Sequence, residues 1–128
     1  MTRVILLCAA LAAAPALAVG FGPLRIDGLI DGPREGFALE LLNPYPVPTH
    51  FVVKAIGAED EEVQPRVTVL PAEVELGPER HRRVLVIADE LAVGETYHFR
   101  VCAQRREPPE GIAINARVCS KLSARRVA

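Results

Sequence analysis

Three histidines and three cysteines are the side chains of this 128-residue chain best suited to nucleophilic, acid–base or metal chemistry. Their placement argues against all three. His50, His81 and His98 stand singly, each without a second histidine, a cysteine or a carboxylate at ligand spacing. The chain has no Gly-x-Ser-x-Gly elbow, no glycine-rich phosphate loop and no Cys-x-x-Cys pair. No catalytic residue, metal ligand or cofactor is therefore expected, and the chain is not expected to be an enzyme. The chemistry that remains is of two kinds: thiol oxidation at Cys102 and Cys119, and recognition of another protein.

Nucleic acid is an unsuitable partner. The net charge is −1, and with no Trp, two Tyr and four Phe the chain offers neither a basic grip nor an aromatic platform for bases. With 50% hydrophobic and 24% charged residues it is too apolar for disorder and of a size for one domain.

Residues 1–18, MTRVILLCAALAAAPALA, carry an early base at Arg3, an apolar run from Val4 to Ala14 and a small-x-small ending at Ala16-Leu17-Ala18. That is the pattern of a signal peptide, cut after Ala18, and the run is shorter than the roughly 20 residues a membrane span needs. The expectation is a periplasmic or secreted domain over residues 19–128, with no membrane span. Cys8 leaves with the signal, so an even pair, Cys102 and Cys119, is left in an oxidising compartment.

The elements that must place this pair are short strands. Apolar and β-branched alternation recurs in Leu24–Ile30, Gly36–Leu42, His50–Ile56, Gln64–Leu70, Arg82–Ala88, Glu95–Ala103 and Ile112–Leu122, with Asp31-Gly32-Pro33 and Leu76-Gly77-Pro78 as turns between them. This predicts an all-β, seven-stranded immunoglobulin-like sandwich with Greek-key connections. Asn43-Pro44-Tyr45-Pro46-Val47-Pro48 is an extended loop, since alternate prolines cannot continue a central strand. The acidic run Ala58–Glu62 reads as a solvated hairpin tip.

In the sixth strand Tyr97, Phe99, Val101 and Ala103 share the core face, Tyr97 being placed like a tyrosine corner whose hydroxyl bonds nearby backbone. In the last strand Val118, Ser120 and Leu122 do the same, which leaves Cys102 and Cys119 on the outer faces of their strands. If the two cysteines are joined across an antiparallel pair, Phe99 faces Leu122 and Gln104 faces Arg117. Ile112 to Ala116 then lie beyond that pairing, as an apolar alternation without a partner from this hairpin. Such a segment either packs locally or is an edge that accepts another chain, including a second copy of its own.

Asp31-Gly32, the run Val69-Leu70-Pro71-Ala72-Glu73-Val74-Glu75-Leu76-Gly77-Pro78 with the Arg-rich strand after it, and the ending Ile112-Ala113-Ile114-Asn115-Ala116-Arg117-Val118-Cys119-Ser120-Lys121-Leu122 together resemble the N-terminal immunoglobulin-like domain of periplasmic pilus-assembly chaperones. The chain ends where that family continues into a second domain, so the resemblance is to a one-domain form. It implies a protein partner, a subunit of a pilus or surface structure, held by donation of an edge strand. By position Ile112, Ile114 and Ala116 would enter the subunit's groove, each isoleucine contributing about 1.5–3 kcal/mol on burial. Lys121 would hold the subunit's terminal carboxylate. The family's first-strand arginine falls at Asp27 by count from Asp31-Gly32, with Arg25 two residues earlier on the same face as its substitute. The long-loop branch of the family also joins these two strands by a disulfide. A rival reading rests on Leu91–Val101, which is similar to a strand of fibronectin type III domains and implies a structural or adhesion module of the cell envelope instead.

Overall fold

The computed structural model describes residues 19–107 and 116–128. The predicted signal peptide, Ile112 and Ile114 lie outside the described residues. Nine strands are present in these: β1 (Gly20–Gly22), β2 (Arg25–Ile30), β3 (Glu35–Leu42), β4 (Thr49–Gly57), β5 (Val67–Leu70), β6 (Glu73–Leu76), β7 (His81–Ala88), β8 (Thr96–Arg105) and β9 (Arg117–Arg126). They form a four-stranded sheet in the order β1-β3-β7-β5 and a five-stranded sheet in the order β2-β9-β8-β4-β6. The expected sandwich is there, with two corrections to its strands.

The count is nine rather than seven because the chain changes sheets twice through short segments. β1 pairs with β3 in one sheet, and after Pro23 β2 pairs with β9 in the other. β5 pairs with β7, and after Pro71 β6 pairs with β4. A proline has no N–H for the ladder it leaves, so each switch falls where the ladder has to break. The other correction is at the end of the chain: β9 starts at Arg117 and runs on to Arg126, and Ala116 stands exposed just ahead of it. Two X-Pro bonds, Gly22–Pro23 and Leu70–Pro71, are cis.

The core lies between the sheets. Phe37, Leu39 and Leu41 of β3 and Val84, Val86 and Ala88 of β7 meet Phe51 and Val53 of β4, Phe99, Val101 and Ala103 of β8 and Leu122 and Ala124 of β9, all buried. Phe37 and Phe99 pack edge to face across the sheets with centroids 6.1 Å apart. Gly28 allows β2 to approach this core, because a Cβ there would stand 2.9 Å from Phe37 Cε1.

Tyr97 is half-buried against Phe99, but its hydroxyl meets the side-chain carbonyl of Gln64 and not backbone, which corrects the tyrosine-corner expectation. Its ring is covered by the Arg66 guanidinium, 4.3 Å from the centroid. Arg66 also donates to both carboxylate oxygens of Glu95, at 2.6 and 3.0 Å, and to the carbonyls of Asp89 and Glu90. The hydrogen bonds from Arg66 hold the Glu95 carboxyl well below its ordinary 4.5, at about 2. A carboxylate whose folded pKa is depressed stabilises the fold above its unfolded value and loses that contribution as pH falls through the folded one. The urea midpoint of the wild type should therefore fall between pH 4.5 and 2, and Glu95→Gln should flatten part of that decline. An unchanged slope in the variant would remove Glu95 from the acid response.

Candidate partner-binding surface

The outer face of the five-stranded sheet gathers the charged residues that the sequence singled out. β8 and β9 pair antiparallel with Cys102 opposite Cys119, Phe99 opposite Leu122 and Gln104 opposite Arg117, as the parity argument requires. The two sulfurs are bonded, and the Cα atoms are 4.0 Å apart. That spacing marks a non-hydrogen-bonded pair, so the backbone N–H and C=O of Cys119, and by the same period of Arg117 and Lys121, point away from β8. Lys121 N–H is taken by the carbonyl of Leu24 at 2.8 Å, where β2 begins to pair in parallel with β9. From Arg117 to Ser120 no strand among the described residues pairs with that side of β9, although the Ser120 hydroxyl donates to the Pro23 carbonyl at 2.6 Å. The switch of β1 into the other sheet leaves this edge open.

The same parallel pairing sets Arg25 directly opposite Lys121, and Asp27 opposite Ser123. On the other side Lys121 faces Arg100 of β8 and Ser123 faces His98. Arg25, Lys121 and Arg100 thus form one cross-strand row of three cations. The row borders a cleft of about 410 Å³ that His98, Asp27, Ala58 and Glu59 also line. Arg25 donates from Nε to Asp27 at 3.2 Å with both side chains exposed. Asp27 also accepts a 2.7 Å hydrogen bond from the Ser123 hydroxyl, the main cause that holds its carboxyl below the usual range. Arg100 is spent on the carbonyls of Gly57 and Asp60, at 2.9 and 3.0 Å. Lys121 is exposed and has no ion pair among the described residues. A carboxylate entering the cleft would meet Lys121 first, with Arg25 beside it.

No family model and no curated protein matches the sequence. Solved structures do. The chain is similar to the Escherichia coli chaperone DraB, with a TM-score of 0.67 and 16% identity over 85% of this chain and 55% of that one. It is similar to a chain in the Salmonella enterica complex of SafA pilin with the SafB chaperone, at TM-score 0.71 and 19% identity over 91% and 58%. The fold is that of the N-terminal domain of periplasmic pilus chaperones. The chain spans a little over half the length of these chaperone chains. A PapD-like domain of human CEP192 matches over 99% of this chain and 97% of its own, at TM-score 0.68 and 14% identity.

Within this chaperone-domain fold Arg25, and not Asp27, holds the position beside Lys121, while Asp27 sits one row further along. Of the expected donor residues only Ala116 is described. Arg100 was not among the expected site residues, although the register that joins the cysteines also sets it opposite Lys121. The acidic run is the expected exposed hairpin tip, closed by the Ile56–Val63 bridge. From this exposed tip Glu61 forms a two-pronged ion pair with Arg117 at 2.6 and 2.7 Å, a contact the sequence reading did not include. Nothing in the local sequence signals a contact across 56 positions.

Proposed function

We propose that this chain is an exported, periplasmic chaperone-like protein that binds a subunit of a pilus or cell-surface structure by lending the edge of β9. In this reading residues 1–18 are a signal peptide cleaved after Ala18, and residues 19–128 are the binding domain. The observation that carries it is the open edge of β9 from Arg117 to Ser120, which ends against the row of Arg25, Lys121 and Arg100. Exposed amides there would extend a partner's sheet while Ile112, Ile114 and Ala116 fill its groove. Lys121 and Arg25 would take the partner's terminal carboxylate, Lys121 as a point charge and Arg25 as a planar donor. The neighbouring structures support the kind of partner, since one of them holds a chaperone with its pilin and another a chaperone with a tip adhesion subunit.

A second reading is a structural or adhesion module of the envelope with no chaperone activity. The near full-length match to a PapD-like domain from a human protein favours it, because that fold also serves outside the pilus chaperones.

A photo-crosslinking residue in place of Ile114, expressed in the native host's periplasm, separates the two. The expected result is one dominant adduct with a small immunoglobulin-like subunit, reduced about two- to fivefold by Lys121→Ala, the range that loss of one exposed ion pair represents. A clean monomer without adduct would overturn strand donation and leave the structural module.

A further inference from the structure

Cys102 is on the outer face of β8, yet it is only 1% exposed. On β4 the outward residue opposite Arg100, Ile56, is also 1% exposed, whereas Lys54, opposite Cys102 itself, is exposed. The 57–62 loop is tied to this face by hydrogen bonds and ion pairs. Arg100 precedes Cys102 by two positions on β8, and Arg117 precedes Cys119 by two positions on β9. The strands run antiparallel, so the two arginines lie at opposite corners of a diagonal that crosses the disulfide. Glu61 contacts both, Arg117 at 2.6 Å and Arg100 at 3.6 Å. Its carboxylate therefore bridges the two arginines of the diagonal that crosses the Cys102–Cys119 bond. Arg100 fastens the same loop through the carbonyls of Gly57 and Asp60, and the loop folds back so tightly that a Cβ on Gly57 would lie 1.9 Å from Asp60 Oδ1.

We propose that residues 57–62 form an electrostatically latched cover over the Cys102–Cys119 disulfide, and that release of the Glu61 latch admits a dithiol to the bond. The reaction is ordinary exchange. A thiolate of the dithiol attacks the sulfur of Cys119, the less buried residue of the pair, and breaks the S–S bond, and Cys102 leaves as a thiolate. The second thiol of the reductant then displaces Cys119, so two electrons and two protons pass from the dithiol to the cysteine pair and the reductant closes into its own disulfide. Two effects of opening the latch act in the same direction. The sulfur becomes accessible, and Arg117 and Arg100 lose their carboxylate, which leaves two cations to attract the attacking thiolate and stabilise the departing one. The cover does not depend on whether β9 is a donor strand.

The test is the rate of disulfide reduction by dithiothreitol in the folded protein, followed by thiol alkylation and mass spectrometry. Glu61→Gln should reduce about two- to fivefold faster than wild type, the range an exposed ion pair of ordinary strength corresponds to. Glu40→Gln, which alters a carboxylate–imidazole contact with His81 on the other sheet, should leave the rate unchanged. In the wild type, 1 M NaCl shortens the Debye length to about 3 Å and should accelerate reduction, while Glu61→Gln should show no further gain. That salt dependence keeps the proposal testable if the variant folds poorly. Equal rates in wild type and Glu61→Gln at low salt would overturn it. So would a rate independent of dithiothreitol concentration and equal to the global unfolding rate, since the bond would then open only with the whole fold.

Discussion

Asn43→Leu, which keeps the number of side-chain heavy atoms, should lower the unfolding free energy by about 3–5 kcal/mol, measured by urea denaturation. Asn43 is fully buried and is the hub of one end of the sandwich. Its amide nitrogen donates to the carbonyls of Val47, Leu76 and Gly77 at 3.0, 2.9 and 3.1 Å, and its side-chain oxygen accepts from the Tyr45 N–H at 3.0 Å. Two amide protons serve three carbonyls, so one is shared. The backbone of Asn43 makes two more bonds, donating to Arg80 O and accepting from Glu79 N–H, both at 3.0 Å. The proline loop cannot supply these donors itself, because Pro44, Pro46 and Pro48 have no N–H. Leucine would take the Leu76 carbonyl's and the Tyr45 N–H's partner away, while Val47 O keeps the Thr49 hydroxyl and Gly77 O keeps the Arg80 N–H; each buried group left unpaired costs about 1–3 kcal/mol unless the loop opens to water. Asn43→Asp should be at least as damaging, since it keeps the acceptor for Tyr45 and turns a negative charge toward three carbonyls. A loss below about 1 kcal/mol for leucine would mean that the loop re-solvates freely and that Asn43 is not its organiser.

This hub shows why parts of the fold were legible in the sequence and others were not. Strand parity is a local property with period two, so the core faces of β8 and β9 and the Cys102–Cys119 register could be read directly, and Arg100 opposite Lys121 is a consequence of that register. Arg25 opposite Lys121 could not be counted from Asp31-Gly32, because the parallel pairing of β2 with β9 depends on where the chain changes sheets at Pro23. The strands Gly20–Gly22 and Glu73–Leu76 are too short to show alternation and exist because longer partners hold them. Asn43 and Glu61 are single polar residues in loops, and their partners lie 33 and 56 positions away. Such contacts depend on the assembled fold, and no pattern within the loops announces them.

Removing the disulfide as Cys102→Ala/Cys119→Ala should cost about 3 kcal/mol, the chain-entropy value for a crosslink closing a loop of this size, and lower Tm by about 10–20 °C. The reason the sandwich needs this staple lies in the composition of β9. Between Arg117 and Arg126 only Val118, Leu122 and Ala124 are apolar, and Val118 is only partly buried. At its start β9 is paired on one side alone, so Arg117–Ser120 are held to β8 by the ladder bonds of Val118 and Ser120 and by the sulfur bridge between them. Hydrogen exchange should locate the loss. In the variant the Val118 and Ser120 amides should exchange much faster, while those of Leu39, Val84 and Val86 keep protection close to the reduced global stability. Parallel loss at all these amides would mean that the bridge acts on the unfolded chain only. Selective loss at Val118 and Ser120 would mean that it also holds the edge of β9 in register, and an edge that frays could not present Arg117 and Cys119 to a partner in a fixed order.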